Sequence, residues 1–188
     1  MDDVKNLILD KAKDRMERFG FKKTTMDEIS KDCRISKKTI YENFIDKDDM
    51  FRCLLLRECH KTIEVLFQQM GDVSDPLERL VLLTRNAIVY LNQDHFITRI
   101  LKDGDLYVAF VNRKYHGIID EEIIALIAQM IREGKEQGKF RDVNEEIVAY
   151  AGFKLVQAFS YARTGPLLKE QDYTEVLIDF FVNALIKK

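Results

Sequence analysis

The scarcity of helix breakers constrains this chain more than any other feature. Its 188 residues include 2 prolines and 8 glycines, and between them apolar residues recur at every third or fourth position. Proline and glycine are the costliest residues inside a helix, and a three-to-four spacing marks one apolar helical face. No segment alternates in the way a half-buried strand requires, and no internal repeat or low-complexity stretch is present. The expected fold class is therefore all-α. With 46% hydrophobic residues the chain has enough apolar surface for a proper core. No run reaches the roughly 20 apolar residues of a membrane span. The acidic start Met1-Asp2-Asp3 is unlike a signal peptide, and Cys33, Cys53 and Cys59 form an odd set. A soluble, cytoplasmic protein with reduced thiols and no membrane partner is expected.

Punctuation places the helices. Val4, Leu7, Ile8, Ala12, Met16 and Phe19 form one stripe, which Gly20 ends as a left-handed cap residue would. Thr25 and Glu28 have the spacing of a capping box, opening a short helix with Met26, Ile29 and Cys33 inward. After Arg34-Ile35, Ser36 caps a second short helix to Phe44, and Asp46 caps a long one carrying Met50, Phe51, Leu54, Leu55, Ile63, Leu66 and Phe67. Pro76 suits a first helical turn behind a Ser74 or Asp75 cap. Shorter and longer stripes follow from about His95, through Ile119 to Ile131 until Gly134–Gly138, from Ile147 to Ala162, and from Tyr173 to Ile186.

The last two of these are apolar on more than one side. Val148, Ala151, Leu155, Ala158 and Phe159 oppose Tyr150, Phe153 and Tyr161, and in the final helix Ile178, Val182 and Ile186 stand apart from Phe180, Phe181 and Ala184. A helix apolar on two faces is buried on two faces. Either a second copy of the chain covers the extra face or the helix is central to its own core. A homodimer is the expectation, with Tyr150, Phe153, Tyr161, Ile178, Phe181 and Val182 at its interface.

Residues 25–51 carry the functional signal. Two short capped helices joined by a tight turn, with longer helices on either side, have the shape of a helix-turn-helix. Ile40 and Phe44 would anchor the second helix against Ile29 and Ile35. Outward it presents Lys37, Lys38, Thr39, Tyr41, Glu42 and Asn43, groups suited to phosphates and base edges in a major groove. The formal net charge of -2 supplies no global basic field. Lys22, Lys23, Lys31, Arg34 and Lys47 must provide a local one. The plain alternative is a solvated face of a small helical unit.

Thr25, Ile29, Ser30, Ile35-Ser36, Thr39-Ile40-Tyr41, Asn43-Phe44, Lys47 and Asp48 together resemble the amino-terminal signature of TetR-family transcriptional regulators. The segment Gly134–Arg141 resembles the connection before that family's first dimerisation helix. Three positions depart from the family pattern: Cys33-Arg34 replaces a frequent Ala-Gly, Lys38 a frequent Gly, and Asn43 a His or Tyr. The resemblance implies a DNA-binding domain over residues 1–46 and a helical ligand-binding and dimerisation domain over 47–188. It implies DNA contacts from Thr25, Ser36, Lys37, Lys38, Thr39, Tyr41, Asn43 and Lys47. It further implies a repressor released from a palindromic double-stranded operator by a small hydrophobic or amphipathic molecule.

Other constellations are weaker. Phe67, Tyr90, Phe96, Tyr107, Phe110 and Tyr115 offer walls for a ligand cavity, although aromatics at this spacing serve equally as plain core. Thr84 lies on an apolar stripe and needs a partner, either a ligand or its own helix backbone. Cys59 and His60 are adjacent, so they face different ways and do not make a metal site. Nothing indicates catalysis, a cofactor or a metal. A helical interaction module that keeps the fold without reading DNA is the competing reading.

Overall fold

The computed structural model describes residues 2–102, 115–161 and 173–187. Among these the secondary structure is helical, apart from one isolated bridge between Phe140 and Ile186. The helices are α1 (Asp2–Phe19), α2 (Met26–Cys33), α3 (Lys37–Asn43), α4 (Lys47–Met70), α5 (Pro76–Asn92), α6 (Phe96–Lys102), α7 (Tyr115–Glu136), α8 (Glu145–Tyr161) and α9 (Thr174–Leu185). The chain divides into two compact units, one built around residues 1–61 and the other around 62–98 and the described residues from Gly117 onward.

In the first unit, α1 buries Ile8, Leu9, Ala12 and Met16. The expected stripe is shifted at its edges, since Val4, Leu7 and Phe19 are exposed and Leu9 takes an inner place. Phe19 instead lies under the guanidinium groups of Arg15 and Arg18. Gly20 ends the helix at φ 82, where a residue without Cβ is at ease. Phe21 then packs on Phe51 of α4, ring centres 4.9 Å apart. Ion pairs tie α1 to α4: Lys13 to Glu58 at 2.6 Å and Arg57 to Asp10 at 2.7 Å. Burial pushes the Glu58 carboxyl up, but hydrogen bonds from Lys13 and Lys61 outweigh it and leave the group below its ordinary value.

The second unit is held by apolar contacts among α5, α7, α8 and α9. Ala128, Ile131, Phe140, Ala149 and Leu185 form one cluster, and Ile88, Val156 and Leu177 another. Asp75, rather than Ser74, caps α5, accepting from the N–H groups of Leu77 and Glu78. Helix α7 ends at Glu136, within the expected Gly134–Gly138 stop, with Gly138 at φ 71 and the ring of Phe140 packed against Gly134. The same turn latches the C-terminus: Arg141 N–H donates to Leu185 O at 2.9 Å, and Arg141 Nε to Ala184 O. Glu145, opening α8, accepts from its own N-terminal N–H, from Lys135 and from Arg132.

Two outcomes are expected. A Cβ at Gly134 would fall inside the Phe140 ring, so Gly134→Ala should destabilise the protein by ~1–3 kcal/mol in urea titration. The Glu145 carboxyl is lowered to about 2 by the backbone N–H, then by Lys135 and Arg132. Its stabilising effect is present above the unfolded-state value and is lost as pH falls through the folded one. The gap in melting temperature between wild type and Glu145→Gln should therefore be full at neutral pH and narrow steadily from about pH 4.5 downward. A gap that stays constant to pH 2 would refute the pairing.

Candidate nucleic-acid interface

Each element of the helix-turn-helix has a local cause. The capping box at α2 is complete: Glu28 N–H donates to Thr25 Oγ1 at 3.3 Å, and Thr25 N–H to Glu28 Oε2 at 3.0 Å. Bonds from Thr25 and from Arg15 hold the Glu28 carboxyl below its ordinary range. Arg15 pairs with both Glu28 and Asp32, fastening α2 to α1. Met26, Ile29 and Cys33 are buried as their spacing predicts. Ser36 caps α3 by accepting from Thr39 N–H at 3.0 Å. Ile40 and Phe44 are buried, and Lys5 of α1 lies 5.4 Å above the Phe44 ring.

The opposite face of α3 is open. Lys38 has 85% of its side chain exposed, 3.7 Å from Glu42, and Tyr41 is 54% exposed. Ser36 and Lys37 are exposed, while Thr39 and Asn43 are half-buried. Asn43 donates to Thr39 O at 2.8 Å, which leaves its carbonyl oxygen for other uses. Lys37 is paired with Asp27 of α2. Thr25 is exposed, but its hydroxyl also donates to Glu28 at 2.8 Å.

Lys47 has a structural occupation that its position in the motif does not reveal. Its Nζ donates to Phe21 O and Thr24 O, both at 2.9 Å, and lies 4.3 Å from the centre of the Phe21 ring. It thus clasps the turn before α2 to the start of α4. Asp27 was also invisible as a functional residue in the sequence. The only available signal is its place in the first turn of α2, two residues after the cap.

The remaining candidate residues are dispersed. Phe67 is half-buried and Phe96 is buried. Thr84 donates to Leu80 O at 2.8 Å, the backbone option. Tyr90 Oη meets Thr62 Oγ1 at 2.8 Å while its ring stacks on His95 at 4.3 Å. Tyr107 and Phe110 lie outside the described residues, as do the side chains of Tyr115 and Tyr161. On α8 and α9, Tyr150 is exposed and Phe153, Phe181 and Val182 are half-buried, whereas Ile178 is buried within its own subunit. The apolar side chains left most open there are Ile147, Tyr150, Val176 and Phe180. Among the described residues, no group of three His, Cys, Asp or Glu is placed to hold a metal ion.

Comparison with known proteins agrees with this geometry. Residues 8–54 match the model of the bacterial regulatory proteins of the tetR family. The chain is 28% identical over 193 residues to YhgD of Bacillus subtilis, an uncharacterised HTH-type transcriptional regulator, covering 97% of each chain. It is 26% identical over 143 residues to the HTH-type transcriptional regulator UidR of Escherichia coli, covering 73% of this chain and 69% of UidR. In fold it is similar to the fatty acid degradation regulator FadR of Bacillus halodurans, with TM-score 0.70, 18% identity and coverage of 95% and 94%. It is likewise similar to a transcriptional regulator of Saccharomonospora viridis solved with choline, with TM-score 0.72, 20% identity and full coverage of both chains. Motif, helix order and relatives converge: residues 8–54 form a DNA-binding domain of the tetR regulatory type, and the chain is similar along its length to HTH-type transcriptional regulators rather than to enzymes.

Proposed function

We propose that the protein is a cytoplasmic homodimeric repressor that binds a palindromic operator and leaves it when a small molecule binds. The observation that carries the DNA-reading part is the open polar face of α3, where Lys38 and Tyr41 are exposed. An interaction module that had abandoned DNA would have no need to leave that face free. In this reading the DNA-binding part spans residues 1–46 and the functional boundary lies where α4 begins. Thr25, Ser36, Lys37, Lys38, Thr39, Tyr41, Asn43 and Lys47 carry the DNA contacts. Lys47 acts by shaping the turn as well as by its charge.

Support for the dimer comes from the exposed apolar side chains of α8 and α9, since Val176 is 69% and Phe180 57% exposed. Single exposed apolar residues are common, but a set on two adjacent helices marks an interaction surface. Support for a ligand comes from relatives in fold: AibR was solved with isovaleryl coenzyme A and operator DNA, at TM-score 0.58 and 19% identity. An effector that prefers one separation of the two DNA-binding ends must weaken operator binding by the coupling between sites, typically about 1–3 kcal/mol. Phe67, Thr84, Tyr90, Phe96, Tyr107 and Phe110 are the proposed surroundings of that effector, which is hydrophobic or amphipathic.

The deciding experiment is fluorescence anisotropy with DNA from upstream of the protein's own gene, titrated with salt and with random-sequence competitor. Tight, salt-sensitive binding that competitor does not remove is expected. Equal weak binding to every sequence, with selection from random DNA also recovering nothing, would favour the interaction module. Tyr41→Ala should weaken operator binding by roughly ten- to hundredfold and leave the sedimentation of the dimer unchanged. Phe180→Asp should shift the sedimentation profile to monomer while far-UV circular dichroism stays helical. A dimer unaffected by that change would place the interface elsewhere.

A further inference from the structure

Arg34 ends α2 with φ 56 and ψ 38 and is, among the described residues, the one non-glycine residue at positive φ. Its N–H is bonded to Lys31 O, and Ile35 N–H closes the turn on Ser30 O at 3.1 Å. Glycine takes this left-handed conformation freely, whereas a Cβ disfavours it. The backbone therefore does not explain an arginine here, and a strained residue of this kind points to a role for its side chain.

The surrounding charges indicate that role. Between Lys22 and Lys47 the sequence has seven basic and five acidic side chains, so the local field depends on which cations are already neutralised. Lys37 is paired with Asp27, Lys38 with Glu42, and Lys47 is bonded to two carbonyls. Arg34 and Lys31 are both exposed, and neither has a side-chain partner among the described residues. Asp27 and Lys31 are four apart on α2 and so share a face. Because Asp27 reaches Lys37, that face borders the start of α3. Glu28 and Asp32 turn the other way, to Arg15 of α1. Arg34 stands two residues before Ser36, the cap of α3. We propose that Arg34, assisted by Lys31, is a further DNA contact that grips a backbone phosphate beside the recognition helix. It rests on the DNA-binding reading above. A phosphate fits because guanidinium hydrogen bonds suit its oxygens and an unpaired cation releases counterions on binding.

The test is Arg34→Gly in the full-length protein, with DNA affinity measured over a range of salt. Binding should weaken by about fivefold near 0.15 M salt, and the slope of log K against log salt should fall by about 0.9 per subunit. The loss should be equal for operator and random DNA, because a phosphate carries no sequence. The thermal midpoint should be no lower than wild type, since glycine relieves the left-handed backbone. Arg34→Lys should restore the salt slope, and Lys187→Gln, which removes an equal charge elsewhere, should leave it unaltered. Wild-type affinity and slope in Arg34→Gly would overturn the proposal, as would an equal effect of Lys187→Gln. A loss confined to operator DNA would also overturn it by assigning Arg34 to a base. If the wild-type protein bound no DNA at all, the regulator reading itself would fail instead.

Discussion

The α3 helix is seven residues long, well below the ~12–15 at which a helix persists by itself in water. The surface offered to DNA thus exists only while Ile40 and Phe44 stay seated in the core of the first unit. Helix α2 and Lys5 of α1 border that seat, and ion pairs between Lys13 and Glu58 and between Arg57 and Asp10 tie α1 to α4. The capping box at Thr25 and the cap at Ser36 set where the two short helices start. Without the buried anchors these caps would contribute only about a kcal/mol each, too little to order the segment.

The exposed side of the same segment is electrically economical. Much of its positive charge is already matched by carboxylates or carbonyls, as with Lys37, Lys38 and Lys47. Such exposed pairs add little stability, and a phosphate can displace the carboxylate at modest cost. The whole chain is likewise close to balance, with a formal net charge of -2.

In the second unit, α8 and α9 each have a buried side and an open one. Ile178, Leu177 and Leu185 serve the subunit's own core, as does Val156. Ile147, Tyr150, Val176 and Phe180 lie on the opposite side. Gly152 lets the Phe181 ring approach α8, with a hypothetical Cβ 3.4 Å from it. Periodicity in the sequence identified helices apolar all round, but it could not say which stripe faced inward. Hydrophobicity is the same quantity on both sides, and only the packing partners differ.

What the sequence determined by itself is local. Helix positions, the Thr25–Glu28 box, the Ser36 and Asp46 caps, the Gly20 stop and the inward place of Ile29, Ile40 and Phe44 all follow from interactions within a few residues or from helical period. The TetR-family signature was legible because those same short-range constraints fall at fixed spacing. The tertiary structure alone decided how long-range partners share the polar groups. Lys47 is occupied by carbonyls 23 and 26 residues earlier, and Lys37 by a carboxylate 10 residues before it. The Phe140 ring packs against Gly134, where a Cβ would clash with it. A side chain's reach in sequence space is set by the fold, and no local pattern encodes it.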